Sequence, residues 1–370
     1  MSRRASIFAI ATLFLLVACR PTSVEKTTPS PTDLPPASAT AIFVPETSTA
    51  VPITPTTAPA TPTLEMITSE NWARLQLLKT FPAEMPLLNS AVAISMDGKQ
   101  MAVGSNSRAQ IFFFDLPSGQ MSQSIFLNGI SDVDSPFEQI EYLPDGTLVA
   151  NTDSPYMIYH IDTAGNVLSA WNGLGFALSA DKMIMAHDSE GSIVLVEIAS
   201  NVPLLSLEDA SAMAFSFSPD GSKIAAEDIG VDYIRTTIWD VPNKVLLTSL
   251  EECANPRFSP DGRFLAVTMY DYENDKTPLK IFRPDGAAEV KTLNVGEPDD
   301  LNNRAALWSA DGSIVAAQIA SGPPVAWDTT NWQPLNASAL QGELYSFSPD
   351  GRILITRTPD GGILLWGVIS

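Results

Sequence analysis

A four-residue motif, Ser-Pro-Asp-Gly, recurs along most of this 370-residue chain and constrains its fold more than any other feature. In the copy at residues 218–221, Pro219 presets the φ angle of a turn, the Asp220 carboxylate can accept hydrogen bonds from the nearby backbone, and Gly221 tolerates a positive φ. Largely apolar segments lie on both sides of this copy, at residues 213–217 and 223–226. The motif therefore predicts a tight turn that joins two β-strands.

Altered copies of the motif divide the chain into seven units. The unit around Asp220 continues with two more apolar segments, Ile234–Trp239 and Val245–Leu250, so it contains four short strands. Four strands in about 40 residues is the repeat of a β-propeller blade. The sequence predicts an all-β fold over residues 66–370, a seven-bladed β-propeller with four antiparallel strands per blade. The turn aspartates of the seven units are Asp97, Asp145, Asp181, Asp220, Asp261, Asp311 and Asp350.

These units resemble the repeats of WD40-type and PD40-type propellers, the second being the Ser-Pro-Asp-Gly repeats of TolB-like periplasmic proteins. Beyond the turn, the resemblance rests on Trp239-Asp240 and Trp327-Asp328, which match the end of the third strand in those repeats. The Gly-His dipeptide of intracellular WD40 repeats does not occur in the sequence. The resemblance implies the propeller fold, but it does not transfer that family's interaction residues to this chain.

The seventh unit stops at Ser370, directly after its third strand. A sequence near the start of the repeat region, Glu70–Leu75, resembles Thr330–Leu335, which leads into the fourth strand of the sixth unit. We therefore expect residues 72–80 to supply the fourth strand of the seventh blade. A ring closed by an N-terminal strand has no unfinished sheet edge at its seam. The leucines of that strand, expected in the core, are Leu75, Leu77 and Leu78.

The N-terminal segment, residues 1–19, has the layout of a bacterial export signal. Basic residues precede an apolar run, Ile7–Ala18, which is too short to span a bilayer. The run ends in Leu16-Val17-Ala18-Cys19, which resembles the lipobox of bacterial lipoproteins. The resemblance implies a diacylated Cys19 at the mature N-terminus, and hence an exported, membrane-anchored lipoprotein on the extracytoplasmic side of the envelope or at the cell surface. An ordinary cleaved signal or an uncleaved anchor is the alternative.

Residues 20–65 are rich in Thr, Pro, Ser and Ala. Proline lacks a backbone donor and favours extended conformations, and small polar side chains bury too little surface to offset the entropy lost on ordering. We expect a disordered tether. At about 3.1 Å per residue in its extended form, it would reach on the order of 100 Å from the membrane.

Composition excludes several classes of function. The formal net charge of −21, from 42 acidic and 21 basic residues, argues against nucleic-acid binding, because phosphate contacts need clustered Lys and Arg. Two cysteines exclude a disulfide framework, and Cys253 is expected to be a small buried residue. Two histidines are too few for most metal centres. We expect His160 to pack within a strand and His187 to lie in a solvated loop. No cofactor is predicted, and we expect a monomer.

Two classes of function stay open on the sequence. No nucleophile elbow, His-Glu-x-x-His helix, Cys-x-x-Cys pair or phosphate-binding glycine loop occurs in it. The first class is a non-catalytic binding module that presents a rigid platform to a protein or glycan partner. The alternative is a propeller enzyme of the lactonase, lyase or glycosidase type, which needs carboxylates, with or without Ca²⁺, at the central channel. The inner strands are expected to be mainly apolar, as at Met213–Phe217, which favours the binding module.

The predicted binding face is formed by the loops that join second to third strands, together with those that lead from one blade to the next. Acidic residues and tyrosines collect in these loops around blades 4 and 5, and tyrosine supplies contact area at low entropic cost. Neighbouring carboxylates would attract Ca²⁺ or a basic protein surface, although a hydrated acidic rim also explains the charge. The candidate residues are Glu227, Asp228, Asp232, Tyr233, Tyr270, Asp271, Tyr272, Glu273, Asp275, Asp299 and Asp300.

Lipidation of Cys19 is directly testable. A fatty acid that carries a clickable group, supplied to the native bacterium, should be incorporated into the wild-type chain and not into a Cys19→Ala variant, because the thiol is the attachment point. Incorporation that persists in the variant, or that is missing from the wild type at equal expression, contradicts this prediction.

Overall fold

The computed structural model describes residues 63–81, 91–105, 109–128, 130, 136–152, 154–207, 212–230, 232–269, 277–295, 306–318 and 324–370. Within these ranges the chain forms 29 β-strands and a three-residue 3-10 helix, Trp72–Arg74. The strands form seven antiparallel sheets around a common axis, so the predicted seven-bladed β-propeller is confirmed. The predicted signal segment with Cys19, and most of the predicted tether, lie outside the described residues.

No helix in the described ranges is both long enough and apolar enough to cross a membrane.

Blades 1 to 3 are each built from four consecutive strands. Blade 1 contains β3 (Val92–Ile94), β4 (Gln100–Gly104), β5 (Gln110–Asp115) and β6 (Met121–Phe126). Blade 2 contains β7 (Phe137–Tyr142), β8 (Leu148–Thr152), β9 (Met157–Ile161) and β10 (Val167–Asn172). Blade 3 contains β11 (Phe176–Leu178), β12 (Ile184–Ser189), β13 (Ser192–Glu197) and β14 (Val202–Leu207).

Blades 4 to 6 repeat this order, with the first strand of each blade innermost. Blade 4 contains β15 (Phe215–Phe217), β16 (Lys223–Ile229), β17 (Ile234–Asp240) and β18 (Val245–Glu251). Blade 5 contains β19 (Cys253–Phe258), β20 (Leu265–Met269), β21 (Leu279–Phe282) and β22 (Glu289–Leu293). Blade 6 contains β23 (Leu307–Trp308), β24 (Ile314–Ala317), β25 (Val325–Asp328) and β26 (Pro334–Leu335).

Blade 7 is assembled from two distant parts of the chain. Its strands are β27 (Glu343–Phe347), β28 (Leu354–Arg357), β29 (Ile363–Ile369), β1 (Leu64–Glu65) and β2 (Gln76–Phe81). β2 pairs antiparallel with β29, and β1 pairs with the end of the same strand, where Leu64 lies opposite Ile369. The expectation that an N-terminal strand closes the ring is therefore confirmed. β1 lies at the end of the segment that the sequence assigned to the tether.

The closing segment differs from its predicted form in two respects. Residues 72–74 form the 3-10 helix instead of the start of a strand, and Trp72 is only 2% exposed. Leu75 is buried as predicted, but Leu77 is 48% exposed. The reason is that an outermost strand turns one face to solvent, and a bulge between Leu77 and Lys79 shifts the alternation of β2.

Phe81, the last residue of β2, joins blade 7 to blade 1. Its ring is 2% exposed and meets the ring of Phe114 edge-on, with 5.4 Å between centroids. Buried aliphatic side chains of both blades surround this pair, among them Val103 and Ile355. Closure of the ring is thus stabilised by burial of apolar surface as well as by strand pairing.

The Ser-Pro-Asp-Gly turns share one hydrogen-bond network. Ser218 Oγ donates to Asp220 Oδ1 at 2.6 Å and accepts the backbone N–H of Lys223 at 2.9 Å. Asp220 Oδ1 also accepts the Ser222 N–H, and Gly221 adopts a φ of +68°. The hydrogen bond from Ser218 lowers the pKa of Asp220 to about 2, so the carboxylate stays ionised at neutral pH. The same Ser-to-Asp bond occurs at Ser95–Asp97, Ser179–Asp181, Ser259–Asp261, Ser309–Asp311 and Ser348–Asp350.

Three side chains that the sequence raised as possible ligands or nucleophiles have structural roles. His160 is buried in β9, as predicted, with Nε2 2.9 Å from Thr147 Oγ1. Cys253 is buried as predicted, and burial raises the pKa of its thiol to about 12. The expectation for His187 is wrong: it lies in β12 and is 5% exposed, because that strand continues to Ser189 and alternation turns the imidazole inward.

The seam can be tested with two substitutions in the same strand. Phe81→Ala should lower the free energy of unfolding by about 3–5 kcal/mol, because it removes a fully buried aromatic side chain from the junction of two blades. Leu77→Ala should change it by about 0.5 kcal/mol or less, because that side chain is half exposed. Urea denaturation followed by tryptophan fluorescence measures both, and equal effects of the two variants would contradict closure through β2.

Candidate functional site

The hairpin of β16 and β17 in blade 4 carries the candidate residues that can be located. The sequence placed all of them in a loop, but Glu227 and Asp228 lie within β16, which continues to Ile229. Asp232 and Tyr233 lie between the two strands and are exposed. Glu227 and Asp228 lie in the strand because the pairing of β16 with β17 extends beyond the apolar residues of β16. The other candidates, Tyr270, Asp271, Tyr272, Glu273, Asp275, Asp299 and Asp300, lie outside the described residues.

Arg235, which the sequence analysis did not single out, neutralises Asp228. Its Nη2 lies 2.6 Å from Asp228 Oδ2, and its Nε donates to the same oxygen at 2.8 Å. The Tyr233 hydroxyl donates to Asp228 Oδ1 at 3.3 Å, and the guanidinium carbon of Arg235 lies 4.7 Å from the centroid of the Tyr233 ring. These three side chains form one hydrogen-bonded and stacked unit, so Asp228 serves to orient its neighbours.

Around this unit the hairpin presents an exposed surface of mixed character. Tyr233 is 46% exposed and Ile229 is 41% exposed. Asp232 and the partly exposed Arg235 add one charge of each sign. We call Ile229, Asp232, Tyr233 and Arg235 the blade 4 patch. Its side chains combine an apolar group with aromatic and guanidinium groups, and the last two are the types that contribute most to protein–protein binding.

Glu227 ties blade 4 to blade 5. Its Oε2 accepts the backbone N–H of Asn255 at 2.6 Å, and Asn255 adopts a positive φ of 52° at a break in the pairing of β19. Burial raises the pKa of Glu227, while the hydrogen bond from Asn255 and the charge of Arg257 act in the opposite direction. The carboxyl group therefore supports the backbone of the next blade and is turned away from solvent.

A central channel runs along the propeller axis, and its walls are more polar than the sequence analysis expected. Two cavities of about 410 and 320 Å³ lie in it, bounded by inner strands of blades 2 to 5 and of blades 1, 2, 5, 6 and 7. Gln139, Glu141 and Arg257 line both cavities. The expectation of a mainly apolar channel is wrong at these positions.

One position of the repeat faces this channel in every blade. It lies two residues before the turn serine, or before Leu143 in blade 2, because strand alternation and a constant turn point it toward the axis. Its residue is small or apolar in five blades and charged in the other two, which lie across the ring from each other. Aligning the repeats at this position would have revealed both charges from the sequence. The residues in order are Ala93, Glu141, Ala177, Ser216, Arg257, Leu307 and Ser346.

Glu141 is paired through an altered turn of the neighbouring blade. Lys182 replaces the turn glycine in blade 3, adopts a φ of 56°, and places its Nζ 2.8 Å from Glu141 Oε2 and 3.0 Å from the Tyr142 carbonyl. The loss of the motif at Lys182 thus coincides with an ion pair at the channel wall.

The part of the chain that the structure describes contains no cluster of side chains suited to bind a metal ion. There, no group of three or more His, Cys, Asp or Glu side chains is placed to hold a metal ion. The acidic residues of the loop after β20, which prompted the expectation of Ca²⁺ or of a basic partner, fall outside that part.

Comparison with known proteins supports the fold alone. No family model matches the chain, and no curated protein matches its sequence. Among solved structures, the chain is similar to hydrazine synthase of Kuenenia stuttgartiensis, with a TM-score of 0.58 and 15% identity, covering 76% of this chain and 95% of that one. Identity at this level indicates a shared fold and does not extend to activity.

The support that Glu227 gives to Asn255 yields a prediction. Glu227→Ala should lower the free energy of unfolding by about 1–3 kcal/mol, because the Asn255 N–H loses its acceptor. Glu227→Gln keeps an acceptor oxygen and should cost less. Urea denaturation of the two variants measures the difference, and equal losses would contradict the role assigned to the hydrogen bond.

The pH dependence of the same pair provides a second readout. Because burial raises the pKa of Glu227, its ionisation costs folding free energy, so the stability that the protonated form contributes is lost as pH rises through the folded-state pKa. Glu227→Gln does not ionise. The stability of the wild type relative to this variant should therefore fall as the pH is raised, and a rise would contradict the prediction.

Proposed function

We propose that this protein is a non-catalytic binding protein, anchored to the cell envelope through lipid on Cys19, whose propeller presents a rigid platform to a protein partner. The observation that carries the proposal is the blade 4 patch, in which Tyr233 is exposed and yet held in place by Arg235 and Asp228. A contact residue that is already ordered loses little entropy when a partner binds.

Charge indicates the kind of partner. The chain has a net charge of −21, and Asp232 is exposed beside the patch, so long-range attraction favours a basic protein surface and disfavours nucleic acid. Within the patch itself, the Arg235–Asp228 pair is locally neutral. Exposed Ile229 and Tyr233 would supply the desolvated centre of the contact, and the surrounding carboxylates would steer the approach.

The predicted N-terminal segments suit this role. A lipidated cysteine followed by a Pro- and Thr-rich tether would hold the propeller at a distance from the membrane while leaving its loops accessible. A tethered platform of this kind finds a partner in the same compartment by restricted diffusion, which raises its effective concentration. A glycan partner, or Ca²⁺ bound in the loop after β20, would be compatible with the same arrangement.

The alternative is an enzyme of the lactonase, lyase or glycosidase type. Glu141 is a carboxylate in the central channel, which is where such an enzyme would place one. Its ion pair with Lys182 at 2.8 Å occupies one of its oxygens, an arrangement better suited to supporting the wall than to transferring protons. This pairing supports the binding proposal over catalysis.

Capture from the native envelope tests the proposal. The full chain with an affinity tag, solubilised in a non-ionic detergent, should retain a protein partner that the Tyr233→Ala variant loses. Tyr156→Ala is the matched control, because Tyr156 is also a tyrosine between second and third strands and is 55% exposed, but it lies in blade 2.

Two results would contradict the proposal. One is that the wild type and the Tyr233→Ala variant retain the same proteins, while the variant has the same melting temperature as the wild type. The other is equal loss of the partner in the Tyr156→Ala control. Raising the salt concentration should weaken capture, since steering by carboxylates is screened at high ionic strength.

A further inference from the structure

Arg257 is a cation in the central channel to which no carboxylate of the described residues is bonded. It lies on β19 and lines both channel cavities. Its hydrogen bonds within the described ranges go to the carbonyl oxygens of Phe215 and Pro256, each at 3.1 Å. Glu141 on the far wall is bonded to Lys182 instead. Glu141 and the buried glutamate of β16 act on the charge of the guanidinium from a distance, but neither is hydrogen-bonded to it. A guanidinium withdrawn from bulk water with no bonded carboxylate is costly, so an anion that bonds it directly would be stabilised here.

The hydrogen bonds of Arg257 leave one edge of the guanidinium open. Both carbonyl oxygens are bonded to Nη1. In the described part of the chain no acceptor is bonded to Nε or Nη2, and the N–H groups of these two nitrogens point in parallel from the same edge. Two parallel N–H donors match the two oxygens of one carboxylate. Arg235 uses the same edge to hold a carboxylate, although both of its nitrogens contact one oxygen of Asp228.

Neighbouring contacts hold the backbone of Arg257 in place. The Arg257 carbonyl accepts a hydrogen bond from Trp308 Nε1 at 3.1 Å, on the blade 6 side. On the blade 4 side, Ser216 Oγ accepts the N–H of the next residue, Phe258, at 2.9 Å. The strand that carries the guanidinium is therefore fixed from both neighbouring blades, and a ligand would meet a donor pair that is already oriented.

The channel walls and the overall charge narrow the class of anion. Partly exposed apolar residues form part of the lining of both cavities, Leu178 and Phe217 in the first and Leu344 and Phe347 in the second. The first cavity, at about 410 Å³, has room for a small molecule or a few residues of a peptide. Lys182 also lines the first cavity, but it is paired with a glutamate of the wall. In a protein of net charge −21, the one open guanidinium edge therefore suits one negative charge better than the two of a phosphate.

We propose that the open edge of Arg257 is a binding site for a single carboxylate carried on a small apolar group. Either a free short-chain carboxylic acid or the C-terminus of a peptide has this chemistry. The site lies on the axis and shares no residue with the blade 4 patch, so it stands whether or not that patch binds a protein.

Ligand-observed NMR titration of the full chain in non-ionic detergent tests the site. Butyrate is the small-acid probe, and acetyl-Ala-Ala-Val with a free C-terminus is the peptide probe. Each acid should bind saturably. Each amide counterpart, butyramide or the C-terminally amidated peptide, should bind at least about tenfold more weakly, because it carries no negative charge to pair with the two N–H donors of the guanidinium. The tighter of the two acids identifies the source of the carboxylate.

Two arginine substitutions provide the matched controls. Arg257→Lys keeps the positive charge but removes the pair of parallel N–H donors, and it should weaken binding of the tighter acid about tenfold. Arg263→Lys lies in the same blade, at the turn and outside the channel, and should leave binding unchanged. If Arg257→Lys does not fold, as judged by its melting temperature, the comparison of acid with amide in the wild type decides by itself.

Several outcomes would overturn the proposal. They are the absence of saturable binding of either acid to the wild type, equal binding of acid and amide, unchanged binding in a folded Arg257→Lys variant, and tighter binding of inorganic phosphate than of butyrate.

Discussion

The pairing of β2 with β29 is the contact on which the rest of the molecule depends, because it turns seven sheets into a closed ring. A propeller blade buries its faces only against its two neighbours, so an open ring would leave two apolar faces in water. At the seam, Phe81 packs between blade 7 and blade 1, whereas Trp72 packs on the other side of blade 7, against blade 6. Closure of the ring creates the central channel, and it places Glu141 and Arg257 on opposite walls of that channel.

Within the ring, the turn network gives every blade the same start. A serine, an aspartate and a glycine fix the geometry, and the position two residues earlier then faces the channel in each blade. Departures from the motif coincide with additional contacts. Lys182 replaces the glycine and reaches Glu141. In blade 2, where Leu143 stands at the serine position, Thr147 donates to Asp145 and contacts His160. At these two positions, a departure from the repeat sequence thus coincides with a side-chain contact outside the turn.

Three carboxylates at key positions of this protein are balanced locally even though the total charge is strongly negative. Asp228 is bonded to Arg235, Glu141 to Lys182, and Asp220 to the hydroxyl groups and backbone of its own turn. Burial and hydrogen bonding shift the pKa values in opposite directions, with that of Glu227 raised and that of Asp220 lowered. Net charge thus describes how a partner approaches from a distance, whereas single pairs decide which groups it can contact.

The sequence by itself determined the all-β class, the number of blades and the place of closure. Each follows from short-range chemistry that repeats: the Asp220 type of turn, strand alternation, and the resemblance between Glu70–Leu75 and Thr330–Leu335. The tertiary structure decided the rest. That Leu77 is exposed, that Asp228 is bonded to Arg235, and that Arg257 faces Glu141 across an axis depend on strand ends, bulges and neighbours distant in sequence. Repetition specifies what each unit does alone, and only packing of the units against one another decides which side chains meet.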